Sequence, residues 1–314
     1  MKKLSIVIPC YYNEANIPLT YPALLQQAVQ PLADTAVEMI FVDDGSGDRT
    51  LEELKKVQKQ DSRVRIVKLS RNFGEFRAIV AGMSVATGDA IAVMSADLQD
   101  PPALIPDMFR EWEKGEKVVI AARSGRNEPW LKNFLANTYY RFVRRLVIAD
   151  YPRKGFDFFV IDRSVANRLV AMQEKNSSIY VQLIWLGYKP KILEYVRQER
   201  EKGRSMWTYK KRIDLFIDTF IVFSNKPIRW ISAFGFLMSL AGFAAACFLI
   251  YDKIVNGVDV AGWTSVICTI LILAGVQLIM LGIIGEYMWR NLDESRRRPL
   301  YVIDEVIEPQ GEKS

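Results

Sequence analysis

Short apolar runs alternate with longer segments of helical pattern along the first half of the chain. The apolar runs, partly β-branched, cover residues 4–8, 37–42, 64–69 and 90–94, with 117–121 as a fifth. The segments between them, 15–33, 48–60, 74–87 and 102–115, have the length and composition of helices. Parallel neighbouring strands need a crossover connection, so this order predicts an α/β fold with a parallel sheet covered by helices on both faces.

Two much longer apolar runs, 229–251 and 263–289, dominate the last third of the chain. Each exceeds the roughly 20 residues that a membrane-spanning helix needs. Aromatic residues stand near their ends, as at membrane interfaces: Trp230, Tyr251, Trp263, Tyr287 and Trp289. Cations flank the outer ends of the two runs. We therefore expect two spans, with the part of the chain before them and both termini in the cytoplasm. The alternative is a pair of buried core helices.

Two further stretches, 131–148 and 208–224, carry apolar residues at helical spacing opposite charged ones. Because 208–224 follows Trp207 and leads into the first span, we interpret it as an interfacial helix. For 131–148 a core-facing and an interfacial position remain equally open. The chain then divides into a cytoplasmic head (1–207), an interface helix and linker (208–228), two spans (229–289) and a cytoplasmic tail (290–314). This order predicts a multi-pass protein of the inner (plasma) membrane.

Composition and charge narrow the chemistry. The chain has 314 residues, a formal net charge of +6, three cysteines and no histidine. Histidine-based catalysis and histidine metal ligation are therefore excluded, and the cysteine spacing indicates neither a disulfide framework nor a zinc site. Two clusters of basic residues, Lys202–Arg212 and Arg296–Arg298, lie close to the apolar runs. They favour an anionic membrane surface over nucleic acid as the partner, since no nucleic-acid motif accompanies them.

Polar side chains follow four of the predicted strands. The groups are Pro9–Glu14, Asp43–Asp48, Arg71–Gly74 and Asp97–Pro102. Each alone could be an ordinary turn or a helix cap, a role that suits Asp48 and Asp100. In open α/β sheets, however, ligands bind beyond the carboxyl ends of the strands. Four polar groups at that one edge therefore predict a binding site.

Asp97 and Gln99 place two hard oxygen ligands close together after the fourth strand. Mg²⁺ or Mn²⁺ suits such a site, with substrate phosphates completing the coordination shell. In a sugar transfer, a metal ion here would neutralise the charge that develops on a departing nucleoside diphosphate.

Three of these motifs together resemble the inverting family 2 glycosyltransferases, whose head has the Rossmann-like A-type (GT-A) fold. They are Pro9-Cys10-Tyr11 with Glu14, Val42-Asp43-Asp44-Gly45-Ser46, and Ala96-Asp97-Leu98-Gln99-Asp100-Pro101-Pro102. Within that family the chain is similar, over nearly its whole length, to the polyprenyl-phosphate sugar synthases. These include dolichol-phosphate mannose synthase and, closer to this chain, the bactoprenol glucosyltransferases. Gly155–Phe159, Ile161–Arg163 and Arg200–Ser205 also match.

The resemblance implies transfer of a sugar from a nucleotide sugar to polyprenyl phosphate with inversion. UDP-glucose and undecaprenyl phosphate are the favoured substrates, in a cell-envelope role such as lipopolysaccharide modification. It implies that the nucleotide is held by Pro9, Tyr11, Glu14, Asp43, Asp44 and Asp97, and the metal by Asp97 and Gln99. It also implies that Asp157 lies near the reacting sugar, that Arg200 and Ser205 meet phosphate groups, and that the protein is a homo-tetramer.

A phosphate acceptor changes which residues matter for the chemistry. Its second ionisation lies near a pKa of about 6, so it is largely anionic at neutral pH and has little need of a strong base. Cations that position it are then more valuable; the candidates are Arg126, Arg200, Lys202 and Arg204, with Ser205 beside them. Asp97, Arg200 and Asp157 are the catalytic candidates, with Asp157 an electrostatic residue first and a base second. The alternative for Asp157 is a turn carboxylate paired with Arg153 or Lys154.

The chain departs from the family pattern at three places. Ser95 stands where relatives often have the first carboxylate of Asp-x-Asp, Met206 stands where a cation is common, and Tyr11-Tyr12 doubles a single tyrosine. Two other functions remain as alternatives. A processive polysaccharide synthase would carry Gln-x-x-Arg-Trp, whereas here Lys226 precedes Arg229-Trp230. The other is a non-enzymatic membrane scaffold with a nucleotide-binding fold.

Overall fold

The computed structural model describes residues 1–125, 141, 144, 152, 155–175, 177–196, 226–256 and 262–309. The chain forms two compact units, one made of Met1–Thr219 with Pro299–Ser314 and the other of Phe220–Arg298. The predicted amphipathic helices at 131–148 and 208–224 lie outside the described residues, except that Arg141 and Arg144 are helical.

An eight-stranded sheet forms the centre of the first unit, in the order β7-β5-β6-β4-β1-β2-β3-β8. Its strands are β1 (Lys3–Cys10), β2 (Ala36–Asp43), β3 (Val64–Leu69), β4 (Ala90–Val93), β5 (Val118–Gly125), β6 (Phe158–Asp162), β7 (Lys191–Val196) and β8 (Ile303–Ile307). The first five are the predicted strands. In the central strand β1, Leu4, Ile6, Val7 and Ile8 are completely buried, because helices cover both faces of the sheet.

The sheet is mixed, which corrects the prediction of a parallel sheet. β1 to β5 and β7 all run in one direction, as expected. β6 lies antiparallel between β4 and β5, and β8 lies antiparallel beside β3. The prediction rested on strands joined by crossover helices, whereas β6 follows the long connection after β5, and β8 follows the second unit.

Four helices of the first unit follow the strands in the predicted alternation, and two more in its described residues, which were not predicted, follow β6. They are α1 (Ile17–Leu24), α2 (Thr50–Gln60), α3 (Glu75–Val85), α4 (Leu104–Glu113), α5 (Arg163–Ala171) and α6 (Ile179–Trp185). A π-helical turn at Leu25–Val29 and a 3₁₀ turn at Gln30–Leu32 continue α1. A Cβ atom at Gly82 of α3 would lie 2.4 Å from Cγ1 of Val7, so α3 packs directly against β1 because this position is glycine.

Two long helices, α7 (Lys226–Asn256) and α8 (Trp263–Ser295), form most of the second unit. Both predicted spans fall within these helices. In the part of the chain that the structure describes, Ala233–Asp252 is the one stretch long and apolar enough to cross a membrane, with a mean hydropathy of 2.2 and no burial.

After the helices, the chain returns to the sheet of the first unit. The backbone N–H of Ser70, just after β3, donates to the carbonyl of Val302 at 3.0 Å. Gln58 Nε2 donates to the carbonyl of Ile307 at 2.6 Å, and Lys68 pairs with Asp304 at 2.6 Å. The segment 290–314, interpreted from sequence as a tail, therefore contributes an edge strand.

Candidate active site

The predicted site residues that the structure describes meet at one edge of the sheet. The carboxyl ends of the parallel strands lie at this edge. Pro9 and Asp43 are among the last residues of β1 and β2, and the other candidates follow their strands. These others are Tyr11, Glu14, Asp44, Asp97 and Gln99. The predicted acceptor residues Arg126, Arg200, Lys202, Arg204 and Ser205 follow β5 and β7 along the chain and lie outside the described residues.

The loops after β1 and β2 are hydrogen-bonded to each other. The backbone N–H of Tyr12 donates to Ser46 Oγ at 3.1 Å, and that of Asn13 donates to Thr50 Oγ1 at 2.8 Å. Tyr12 is in the left-handed region at φ +54°, so the chain turns sharply here. Ser46 and Thr50 were not among the predicted site residues, and their role depends on this contact between loops.

The two adjacent tyrosines differ in their surroundings. Tyr12 is 52% exposed, and its hydroxyl lies against Gly47, where an added Cβ would be 2.7 Å away. Tyr11 packs edge-to-face on Tyr12 with ring centroids 4.7 Å apart. Burial, Tyr12 and Asp44 raise the pKa of Tyr11, while a side-chain hydrogen bond with Asn72 opposes them. Tyr11 therefore connects the loops after β1 and β3.

Asp43 and Asp44 are both buried at the end of β2. Asp44 accepts hydrogen bonds from the backbone N–H groups of Phe73 at 2.7 Å and Gly74 at 2.9 Å. Asp43 accepts one from the N–H of Ser46 at 3.2 Å. Burial raises the pKa of both carboxyl groups, and these hydrogen bonds oppose the rise. Asp44 thus holds the loop after β3 in addition to any contact with a ligand.

Glu14 and Asp48 join the loop after β1 to the start of α2. Glu14 accepts a hydrogen bond from the backbone N–H of Arg49 at 3.1 Å and pairs with its side chain at 3.5 Å. Asp48 accepts from the N–H of Thr50 at 3.1 Å and from its hydroxyl at 2.6 Å. The alternative interpretation of Asp48 as the helix cap is not borne out, because the cap position is Arg49; Asp48 stands one residue earlier and accepts hydrogen bonds from the first residue of α2.

The loop that carries Asp97 and Gln99 is a tight turn held at both ends. Asp97 Oδ1 accepts hydrogen bonds from Ser95 Oγ at 2.7 Å and from the backbone N–H of Gln99 at 3.2 Å, the pattern of an Asx turn. Between them Leu98 adopts a left-handed conformation, at φ +57°, while it packs against the core. Thr20 Oγ1 donates to the carbonyl of Ala96 at 2.7 Å.

The donor atoms on this loop fit a hard divalent cation. Groups of three or more acidic or cysteine side chains that could enclose a metal are absent from the described residues. A carboxylate and an amide oxygen, with substrate phosphates as further ligands, form the incomplete protein shell that Mg²⁺ and Mn²⁺ use. Asp97 and Gln99 are the residues that would hold it.

Asp157 is brought to the same edge by the antiparallel strand β6. It immediately precedes β6, in which Phe159 pairs with Val93 of β4, so Asp157 lies beside the chain that leads from β4 into the Asp97 loop. Phe156 before it is buried, with its ring centroid 5.5 Å from that of Tyr180. The alternative partners Arg153 and Lys154 lie outside the described residues. β6 was not predicted from the sequence; the apolar run at 158–161 is the signal that could have found it.

Comparison with known proteins gives a consistent result over the whole chain. Residues 5–169 match the family model described as Glycosyl transferase family 2. The glycosyltransferase YkcC of Bacillus subtilis is 40% identical over 95% of this chain and 92% of its own length. The bactoprenol glucosyl transferase of Shigella phage SfV is 33% identical over 96% of this chain and 98% of its own.

A prophage bactoprenol glucosyl transferase homolog of Escherichia coli is also 33% identical, over 97% of this chain and 99% of its own length. Among solved structures, a glucosyl-3-phosphoglycerate synthase from Mycobacterium tuberculosis is 15% identical over 69% of this chain and 80% of its own, with a TM-score of 0.49. A similarity that low carries no conclusion about function.

Proposed function

This chain belongs to glycosyl transferase family 2 and is a glycosyltransferase of the bactoprenol glucosyl transferase type, and we propose that it transfers a sugar from a nucleotide sugar to polyprenyl phosphate. The observation that carries the proposal is the 33% identity to bactoprenol glucosyl transferases over 96% of this chain, its apolar helices included. UDP-glucose is the proposed donor and undecaprenyl phosphate the proposed acceptor.

The interlocked loops at the carboxyl edge support a donor site. We assign the nucleotide to Pro9, Tyr11, Glu14, Asp43, Asp44 and Asp97. Hydrogen bonds from backbone N–H groups to side-chain oxygens join the loops after β1, β2 and β3, so a nucleoside there would meet a preorganised surface. We assign Mg²⁺ or Mn²⁺ to Asp97 and Gln99, where the ion would neutralise negative charge on the departing diphosphate. The acceptor phosphate is assigned to Arg126, Arg200, Lys202, Arg204 and Ser205.

The proposed reaction is a single displacement with inversion. An oxygen of the lipid phosphate attacks the anomeric carbon of the sugar while the bond from that carbon to the diphosphate oxygen breaks. The electron pair of that bond leaves with the nucleoside diphosphate, and the product is a polyprenyl-phosphate sugar. Since the attacking oxygen is already anionic, no proton has to be removed from it. Asp157 then acts on the developing positive charge of the sugar ring, next to the Asp97 loop.

The path of the chain supports two membrane spans. β8 follows α7 and α8 along the chain, yet it pairs with β3 in the same sheet as β7. The two ends of the helical unit must then be on the same side of any membrane, which requires an even number of crossings. Two spans, at 229–251 and 263–289, satisfy this condition, whereas one span would separate β8 from β3. Both segments are α-helices, which pair backbone N–H and C=O groups within one segment, as a bilayer requires.

We further propose a cytoplasmic head (1–207), an interface helix and linker (208–228), and a C-terminal segment (290–314) on the same side. With the spans in the inner membrane, the acceptor lipid and the cytoplasmic donor meet at the membrane surface. A cell-envelope role such as lipopolysaccharide modification and assembly as a homo-tetramer complete the proposal.

The decisive experiment supplies radiolabelled nucleotide sugars, one at a time, to membranes that contain the protein, together with undecaprenyl phosphate and Mn²⁺. We expect one lipid-linked monosaccharide, formed from UDP-glucose. A polymeric product would instead support the processive synthase. Donor binding without turnover on any polyprenyl phosphate would contradict the proposed reaction.

A further inference from the structure

A chain of hydrogen bonds connects the proposed metal ligand Asp97 to strand β7. The hydroxyl of Tyr195, in β7, donates to Oδ1 of Asp100. The hydroxyl of Ser95 lies 3.3 Å from Oδ2 of Asp100 and donates to Oδ1 of Asp97 at 2.7 Å. Three side chains therefore lead from β7, an edge strand of the sheet, to the carboxylate of Asp97.

The central member of this chain is a deeply buried carboxylate. Asp100 is 0% exposed and Tyr195 is 6% exposed, with the tyrosine ring packed in the hydrophobic core. Within the described residues, the hydrogen-bond partners of Asp100 are the hydroxyls of Tyr195 and Ser95. A buried carboxylate is costly unless its oxygens are hydrogen-bonded. Loss of the Tyr195 hydroxyl would leave Oδ1 without this donor, and Asp100 would then turn to seek another.

Movement of Asp100 would reach Asp97 through a turn that is already constrained. Leu98 adopts φ +57°, a conformation that a leucine keeps only where its surroundings hold it. Ser95 holds one end of this turn through Asp97, and Asp100 holds the other through Tyr195. The orientation of the Asp97 carboxylate consequently depends on a hydroxyl from a strand distant in sequence.

We propose that Tyr195 is a positioning residue for the metal-bound donor: through Asp100 and Ser95 it fixes the Asp97 carboxylate in the orientation that binds the ion. This inference rests on the proposed function of Asp97. It adds a link between the two halves of the reaction, because β7, which contains Tyr195, leads along the chain to the proposed acceptor residues Arg200 and Lys202.

The test compares two tyrosine-to-phenylalanine variants of the full-length protein in detergent. Tyr195→Phe removes the bond to Asp100. Tyr21→Phe is the matched control, because the Tyr21 hydroxyl donates to the buried Asp61 at 3.1 Å, just before the amino end of β3 and away from the site. Mn²⁺ binding in the presence of UDP is measured from the electron paramagnetic resonance signal of free Mn²⁺, alongside kcat and KM for transfer.

We expect Tyr195→Phe to weaken Mn²⁺ binding by about threefold to tenfold and to lower kcat, the size of effect that one lost hydrogen bond produces. Tyr21→Phe should bind Mn²⁺ as the wild type does, even if its melting temperature falls. Ser95→Ala should resemble Tyr195→Phe, and the double variant should be less impaired than the product of the two single effects, since the influence of Tyr195 reaches Asp97 through Ser95.

Two failures can be told apart. If the wild-type protein binds neither Mn²⁺ nor UDP, the proposed function is wrong. If the wild type binds both, and Tyr195→Phe binds Mn²⁺ as well as Tyr21→Phe does, the inference about Tyr195 is wrong. Should Tyr195→Phe not fold, unchanged Mn²⁺ binding in Ser95→Ala would overturn the inference on its own.

Discussion

Asp44 accepts hydrogen bonds through both of its carboxylate oxygens, and the second of them comes from the backbone N–H of Gly74 at 2.9 Å. Gly74 immediately precedes α3, so this bond fixes the start of a helix from the end of a neighbouring strand. The donor is a backbone N–H group of the loop after β3, so the bond requires a particular side chain only at position 44. The same contact shapes the surface proposed to bind the nucleotide.

Replacing Asp44 by asparagine should weaken both folding and donor binding. An asparagine side chain offers one oxygen acceptor, so the N–H of either Phe73 or Gly74 would face an NH₂ group. We expect a loss of about 1–3 kcal/mol in the free energy of unfolding, the cost of one unpaired buried group. Thermal unfolding and calorimetry with UDP would measure the two effects. Asp34→Asn, at an exposed turn, is the control, and equal stability of the two variants would contradict the assignment.

Gly45 is required by the contact between the loops after β2 and β3. It lies at φ +66°, and an added Cβ would be 2.4 Å from the carbonyl carbon of Arg71 and 2.6 Å from the nitrogen of Asn72. Since backbone atoms cannot move aside as a side chain can, Gly45→Ala should cost more than about 2 kcal/mol of stability.

The matched control is Gly187→Ala, which has φ +80° with no atom within 4 Å of the added Cβ. It isolates the cost of a left-handed backbone from the cost of the clash. A fall in melting temperature no greater for Gly45→Ala than for Gly187→Ala would show that the close approach is unimportant. UDP binding should be lost only in Gly45→Ala.

Low pH should destabilise the first unit through Glu38. This residue lies near the amino end of β2, away from the proposed site at the carboxyl ends of the strands. Burial works against the charge of Glu38, but hydrogen bonds from Ser5 and Thr87 outweigh it and hold its pKa below the ordinary value of 4.5. A lowered folded-state pKa contributes stability above the unfolded-state pKa, and this stability is lost as the pH falls through the folded-state value.

Glu38→Gln should therefore unfold at a lower temperature than the wild type at about pH 7, and its melting temperature should fall less between about pH 5 and about pH 3. Circular dichroism of the full-length protein in detergent would follow both transitions. Glu52→Gln, an exposed position at the start of α2, should reproduce the wild-type dependence on pH. Parallel curves for wild type and Glu38→Gln would exclude this role.

Asp97→Ala should reduce sugar transfer by at least about a hundredfold, the usual loss when a group that stabilises transition-state charge is removed. Removal of divalent ions by a chelator should have the same effect on the wild type, and added Mn²⁺ should restore it. Asp107→Ala, on the exposed face of α4, is the control and should keep full activity. Full transfer by Asp97→Ala in the presence of Mn²⁺ would exclude the proposed metal site.

Most of the central sheet could be predicted because its strands are continuous apolar runs between helical segments. β7 and β8 could not, since both are edge strands without a continuous buried run: in β7 only Tyr195 is buried, and in β8 every side chain is at least partly exposed. β6 was not predicted either, although it is a short apolar run. The predicted position of the site followed from the rule that ligands bind at the carboxyl ends of parallel strands. The bonds that shape it, from Tyr12 to Ser46 and from Tyr195 to Asp100, join residues far apart in sequence and depend on the folded sheet.

The return of the chain to β3 sets an order on biosynthesis. The ribosome produces β3 long before β8, with both long helices made in between. Throughout that interval, the outer edge of β3 has no partner strand, and an open edge invites pairing with other chains. Capture of β8 would end this exposure only after the helical segment has left the ribosome. Completion of the sheet must therefore wait until both helices have been made.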